Sequence, residues 1–284
     1  MTAPIIFDRT LVRTRRDRAA ASFPAHSFLY DEVCLRLTER LELMQRAFPR
    51  ALVLGARTGG MAATLDGRFG IETLVQSEFS LPMARQAGGL PVAADEEFLP
   101  FADASLDLVI SPLSLHTTND LPGALAQIRR VLRPDGLLLA GLFGLGTLAP
   151  LREAFLAAET ALNQGASPHV APFTDVRDGG ALLQRAGFAL PVADAEPITV
   201  TYQNPMRLLA DLRGMGEASV LAGRSRQTLR RDVLFEAVQR LAGQVIPFEI
   251  VFLTGWAPHE SQQQPLDPGS GRVSLARTLE DGDE

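Results

Sequence analysis

The 284 residues predict an α/β fold built on a mostly parallel sheet with helices on both faces. Three observations predict it. From Arg50 onward short apolar runs alternate with helical segments, the first run breaks at a glycine turn, and one strongly amphipathic helix lies between two later runs. Parallel strands need crossover connections, and helices in that role bury both faces of the sheet.

The segment before the first strand reads as two helices, an arginine-rich one and a longer one from His26 to Phe48 with apolar positions at Phe28, Val33, Leu37, Leu41 and Met44. They form an N-terminal helical cap over residues 1–48. The arginines of the first helix, Arg9, Arg13, Arg15, Arg16 and Arg18, read as a solvated face, and the alternative is a patch that binds an acidic partner or an anionic surface. Cys34, the only cysteine, falls in the apolar pattern of the second helix and is assigned to the core.

The core domain spans 49–257. Its first strand, at 51–54, ends at Gly55-Ala56-Arg57-Thr58-Gly59-Gly60, where a helix starts. Further runs follow at 73–75, 90–93, 106–110 and 137–140. The helix at 121–132 carries Leu121, Leu125, Ile128 and Leu132 on one stripe, with Pro122 near its start and Arg133-Pro134-Asp135-Gly136 as the turn that ends it. A helix from Thr147 to Asn163 and a loop at 165–173 come next, the loop read as lining a pocket. Two late runs, 198–202 and 248–253, flank a helical insertion at 205–244 and pair antiparallel at the sheet edge. A C-terminal tail, 258–284, is expected to be partly disordered.

Composition narrows the function. A net charge of −6 argues against a nucleic-acid binder, because phosphate binding calls for a basic surface. All 27 lysine-plus-arginine positions are arginine, which reads as compositional bias. No apolar run approaches the roughly 20 residues of a membrane-spanning helix, leaving only peripheral contact open. The start of the chain lacks the pattern of a secretory signal, so a cytoplasmic protein is expected.

The glycine turn can hold a nucleotide-like ligand, since glycine lets the backbone approach and a helix N-terminus offers free N–H groups. Glu78, ending the second strand, is placed to accept two ribose hydroxyls, and an exposed helix-start glutamate is the alternative reading. Asp95, after the third strand in Ala94-Asp95-Glu96-Glu97-Phe98-Leu99-Pro100-Phe101, is placed to meet an adenine amino group with Phe98, Leu99 and Phe101 packed nearby.

That segment, with Asp107 through Leu115-His116, Asn119-Asp120-Leu121-Pro122 and Val131-Leu132-Arg133-Pro134-Asp135-Gly136, resembles the class I S-adenosylmethionine-dependent methyltransferases. The resemblance implies a Rossmann-like sheet of seven strands, mostly parallel with an antiparallel edge strand. It also implies S-adenosylmethionine as cofactor, with Gly55, Arg57, Gly59, Glu78, Asp95, Glu96 and Ser111 around it. Over roughly 7–275, Phe7-Asp8-Arg9, Ser114-Leu115-His116, Ser167-Pro168-His169, Gly214-Met215-Gly216-Glu217 and His259-Glu260-Ser261-Gln262 resemble a narrower family: respiratory complex I assembly factors that hydroxylate an arginine of an iron–sulfur subunit. That family is similar in turn to the malonyl-acyl-carrier-protein methyltransferases of biotin synthesis.

The sequence departs from the methyltransferase pattern at Val53, where an acidic residue is usual, and at Arg57, where a second glycine is usual. Arg57 puts a cation where the methionine part of the cofactor lies, and Glu78 or a substrate carboxylate are its expected partners. His116 follows the fourth strand and is the candidate base, with Ser114 or Asp120 to orient it; Asp120 suits a helix cap better. His116, His169 and His259 show no metal-ligand spacing and are read as hydrogen-bonded structural histidines. The leading functional reading is an enzyme that modifies a protein side chain. The alternatives are an assembly chaperone without the cofactor, and a small-molecule or acyl-carrier-protein methyltransferase with a closed apolar pocket formed by 165–173 and 205–217.

Overall fold

The apolar runs pair as strands: β1 (Arg50–Leu54), β2 (Thr73–Glu78), β3 (Leu90–Ala93), β4 (Leu106–Pro112), β5 (Leu132–Phe143), β6 (Ala189–Thr201) and β7 (Val245–Trp256). A computed structural model describes residues 5–162 and 165–263. The strands form one sheet in the order β3-β2-β1-β4-β5-β7-β6. β1 to β5 pair in parallel, β7 runs against β5, and the antiparallel β6–β7 pair closes that edge. The chain leaves β1 toward β2 and β3 and returns on the other side at β4. The carboxyl ends of β1 and β4 therefore flank the crevice where ligands bind in doubly wound sheets.

Around the sheet lie α1 (Arg9–Ala19), α2 (Phe28–Glu42), α3 (Gly60–Leu65), α4 (Leu81–Ala87), α5 (Leu121–Val131), α6 (Ala149–Ala161), α7 (Val176–Arg185), α8 (Pro205–Gly214) and α9 (Arg231–Leu241). β4 is buried along its whole length because helices cover both of its faces. On one side Val53, Ile110, Phe248 and Phe252 pack under Leu29, Leu37, Phe155 and Leu208. On the other, Leu54, Val109, Leu138 and Leu253 pack under Leu125, Ile128 and Leu183 of α5 and α7. Cys34 is buried in the first of these layers, as expected.

The helix expected from His26 to Phe48 stops at Glu42. Phe48 is buried but precedes Pro49, which disfavours helical backbone at the residue before it. The turn expected at 133–136 lies inside β5 instead. Its pairing with β4 jumps from Leu106↔Leu132 to Leu108↔Leu137, so the extra residues bulge out, with Asp135 at φ +64°. The insertion at 205–244 is two helices, α8 and α9, with no helix across 215–230, where Gly216 adopts φ +80°. The helix placed from Thr147 to Asn163 runs Ala149–Ala161. Asn163 and the part of the tail from 264 onward lie outside the described residues.

Candidate functional site

The site is assembled at the carboxyl ends of the parallel strands. Gly55 leaves β1 at φ +82°, and a Cβ there would stand 2.2 Å from the Ser114 Cβ; at Gly59, φ +97°, it would stand 2.5 Å from the Ala87 carbonyl oxygen. Only glycine suits either position. The Tyr30 hydroxyl of α2 donates to the Gly55 carbonyl (3.1 Å) and fixes the turn from behind.

Glu78 ends β2 as expected and is fully buried, which rules out the exposed alternative. It accepts from the Arg57 N–H and the Ser80 N–H, each at 3.0 Å, and from the Arg16 guanidinium at 3.3 Å. Asp95 and Glu96 follow β3. Arg9 Nη2 donates to both at 2.5 Å, and Glu96 Oε1 also accepts from Arg16 Nη1 (2.7 Å) and the Ser114 hydroxyl (2.5 Å). Burial alone would raise the Glu96 carboxyl; Arg16, Arg9 and the Ser114 hydroxyl outweigh it and hold it far below the usual carboxylate range. Ser111, within β4, is fully buried with its hydroxyl unpartnered. Phe98, expected to pack here, is 72% exposed, while Leu99 takes the interior place.

Arg9 and Arg16 therefore do not belong to a solvated face. Asp8 caps α1 by accepting from the Leu11 N–H. The Asn119 side chain ties down the segment entering α1: its Oδ1 accepts from the Ile6 and Phe7 N–H groups and its Nδ2 donates to the Phe7 carbonyl. So anchored, α1 points Arg16, only 1% exposed, inward between Glu78 and Glu96.

Arg57 is equally buried, at φ +51°. Its Nη2 donates to the Leu113 carbonyl and to Glu217 Oε1, each at 2.7 Å, while Nη1 stands 4.0 Å from Glu78 without a hydrogen bond. The expected Glu78 pairing is thus a backbone hydrogen bond with a long ion pair, and the closer ion pair, at 2.7 Å, goes to Glu217. Glu217 also meets His116: Nε2 lies 3.0 Å from Oε2. A carboxylate can only accept, so Nε2 carries the hydrogen and the buried Nδ1 keeps an unpartnered lone pair. Burial lowers the His116 pKa most, Glu217 opposes this, and Arg57 and Arg16 add to the lowering, so the ring is neutral near pH 7. The ring packs on Phe143, centroids 4.5 Å apart. Ser114 and Asp120 do not orient it: Ser114 serves Glu96 and Asp120 caps α5.

His116 lies on the wall of two cavities. The smaller, about 430 Å³, is bordered by Leu121, Pro172 and Arg185. The larger, about 960 Å³, is bordered by α1, α6, α8 and the 165–173 loop, and reaches Glu217. Gly55, Arg57, Gly59, Glu78, Asp95, Glu96 and Ser111 line neither. His169 faces the larger cavity while held by Glu159 (2.8 Å) and stacked on Phe155; His259 pairs with Ser261. Among the described residues no cluster of three or more His, Cys, Asp or Glu could hold a metal ion, and no helix is long and apolar enough to cross a membrane.

The donor set expected for S-adenosylmethionine is thus present at the strand ends, but as arranged it does not suit the cofactor. Every carboxylate that would meet the ribose or adenine is bonded to an arginine of α1, and the first glycine of the turn closes on Ser114.

Strand order, glycine turn and acidic strand ends define a class I methyltransferase fold, and residues 52–140 match the methyltransferase domain family. Two solved structures share the fold. One is the YcgJ protein of Bacillus subtilis (TM-score 0.55, 16% identity, 78% of this chain and 98% of that one). The other is a Haemonchus contortus phosphoethanolamine N-methyltransferase in complex with S-adenosyl-L-methionine (TM-score 0.54, 17% identity, 87% and 60%). The chain is 39% identical to the human mitochondrial arginine-hydroxylase NDUFAF5, over 95% of its own length and 82% of that protein's. It is 34% identical to the malonyl-[acyl-carrier protein] O-methyltransferase of Laribacter hongkongensis, over 95% and 96%. It belongs to the methyltransferase-fold family that contains these two kinds of enzyme.

Sequence reasoning placed Glu78, Asp95, Glu96 and His116 at the strand ends, where they stand, but read Arg9 and Arg16 as a solvated face and missed the contacts of Glu217. The Gly214-Met215-Gly216-Glu217 motif was a signal for the last, without a partner to attach it to. For Arg16 no local signal exists, because its partners lie 62 and 80 residues away.

Proposed function

We propose that this chain is an enzyme that modifies a protein side chain, an arginine of a respiratory complex I iron–sulfur subunit, during assembly of the complex. The observation that carries the reading is the His116–Glu217 pair on the wall of the larger cavity. A neutral imidazole whose Nε2–H is held by a buried carboxylate keeps Nδ1 as a base, the arrangement that general-base chemistry uses. Similarity to the arginine-hydroxylases along nearly the whole chain supports arginine as the target. Arg57, fixed in the glycine turn by Glu217, supports a reaction other than ordinary methyl transfer.

The test is to incubate the chain with the recombinant iron–sulfur subunit in an extract from cells lacking this protein, then map the subunit by mass spectrometry. An arginine heavier by one oxygen or one methyl group, absent with His116→Ala, is the expected result. An unmodified subunit that still co-purifies with the chain supports the second reading, a non-catalytic assembly chaperone. The observation favouring that reading is the occupation of Glu78, Asp95 and Glu96 by Arg9 and Arg16.

A further inference from the structure

The larger cavity carries a charge asymmetry that the proposed modification does not use. Arg15 and Arg18, three residues apart on α1 and so on one face of it, line the cavity together with Arg213 from the last turn of α8. Arg9, Arg16 and Arg57 are each held by carboxylates, whereas Arg15, Arg18 and Arg213 have no ion pair or hydrogen bond among the described residues. Among the described residues the one carboxylate on the wall is Glu217, already matched by Arg57 and His116. His26, also on the wall, is held by Asp211 at 2.8 Å. Arg15 is partly withdrawn from water, and its charged neighbours are the cations Arg224, Arg18 and Arg213. Away from the arginines the wall is apolar, formed by Leu148, Leu151, Phe155, Leu209 and Leu234.

We propose that this cavity binds an amphiphilic anion, a molecule with a carboxylate or phosphate head held by Arg15, Arg18 and Arg213 and an apolar body lying along Leu148, Leu151, Phe155 and Leu209. Three unmatched guanidiniums favour such a head because charge-assisted hydrogen bonds to carboxylate or phosphate are the strong ones and arginine presents them in pairs. The apolar wall supplies the remaining affinity through burial, and about 960 Å³ is at the upper end of the range for ligand pockets, enough for a medium-length acyl chain. The inference goes beyond the proposed modification and depends on neither the cofactor nor the reaction.

The test is isothermal titration of the full chain with decanoate, decyl phosphate and decanol, each below its micelle or solubility limit. The expected result is binding of one or both anions at least about tenfold tighter than decanol, the size of effect that one charge-assisted contact gives. A preference between the two anions identifies the head group. The variant carrying Arg15→Gln, Arg18→Gln and Arg213→Gln, checked for folding by circular dichroism, loses at least about tenfold in anion affinity and keeps its affinity for decanol. Arg213→Gln alone, at an exposed position, serves if the triple variant does not fold. Equal affinity for decanol and the anions, unchanged anion binding in the variants, or no binding of either anion overturns the proposal.

Discussion

Arg16 donates to Glu96 at 2.7 Å with both side chains 1% exposed, joining the N-terminal helix to the end of the third strand. A charge held this far from water is tolerated only when matched. Glu78 and Glu96 are matched largely by this one guanidinium, aided by Arg9. Arg16→Met therefore leaves two buried carboxylates short of a partner, and we expect a loss of about 3–5 kcal/mol in urea unfolding at neutral pH. Adding Glu96→Gln should restore part of it. A loss below about 1 kcal/mol, or no recovery in the double variant, would show that α1 is not locked by this pair.

Arg57 has two opposed effects on its turn. At φ +51° it holds a backbone conformation that glycine adopts freely, at a cost of about 1 kcal/mol, while its guanidinium fills the space beside Glu78 and anchors Glu217. Arg57→Gly relieves the first and empties the second. Titration with S-adenosylmethionine should then show at least about tenfold tighter binding by the variant than by the natural chain. Equal affinities would mean that the guanidinium is no barrier to the cofactor.

The parts of the site legible in the sequence are those set by local rules. A strand that runs into glycine places Gly55, a strand that ends in a carboxylate places Glu78, and strand-end position places His116; each depends on a few neighbouring residues. What escaped depends on pairing across the chain. The partner of His116 is 101 residues away and that of Arg57 is 160. The arginines of α1 show why sign and spacing alone mislead. Arg15 and Arg16 are adjacent, yet one lines a cavity and the other is buried among carboxylates, because the tether at Asn119 fixes the rotation of the helix. The turn expected at 133–136 failed for a related reason: Pro and Gly mark a backbone irregularity, and the β4–β5 register absorbs it as a bulge within the strand.

Gly55 offers a check on the packing of the turn. Any side chain there meets Ser114 far inside contact distance and must also hold φ +82°. Gly55→Ala should destabilise the chain by roughly 2–4 kcal/mol, from overpacking and backbone strain together. Thermal melts of Gly55→Ala, Ser114→Gly and the double variant separate the two, because the single Ser114→Gly variant carries the cost of losing the hydroxyl's bond to Glu96. A double variant as stable as Ser114→Gly alone would mean that backbone strain contributes nothing.

The buried His116 makes stability depend on pH in a direction that can be worked out. Burial first, then Arg57 and Arg16, lower its pKa in the folded chain below the unfolded value of about 6.5. Above about pH 6.5 neither state binds the proton and the full stability is present. As pH falls below that value the unfolded chain takes up a proton that the folded chain refuses, so stability declines until pH reaches the folded pKa. Each unit of separation is worth at most about 1.4 kcal/mol. The melting temperature of the natural chain should fall between about pH 7 and pH 5, and that of His116→Asn should fall less over the same range. Parallel profiles would show that the ring gains its proton in the folded state as readily as in the unfolded one, and the neutral base assigned to His116 would have to be given up.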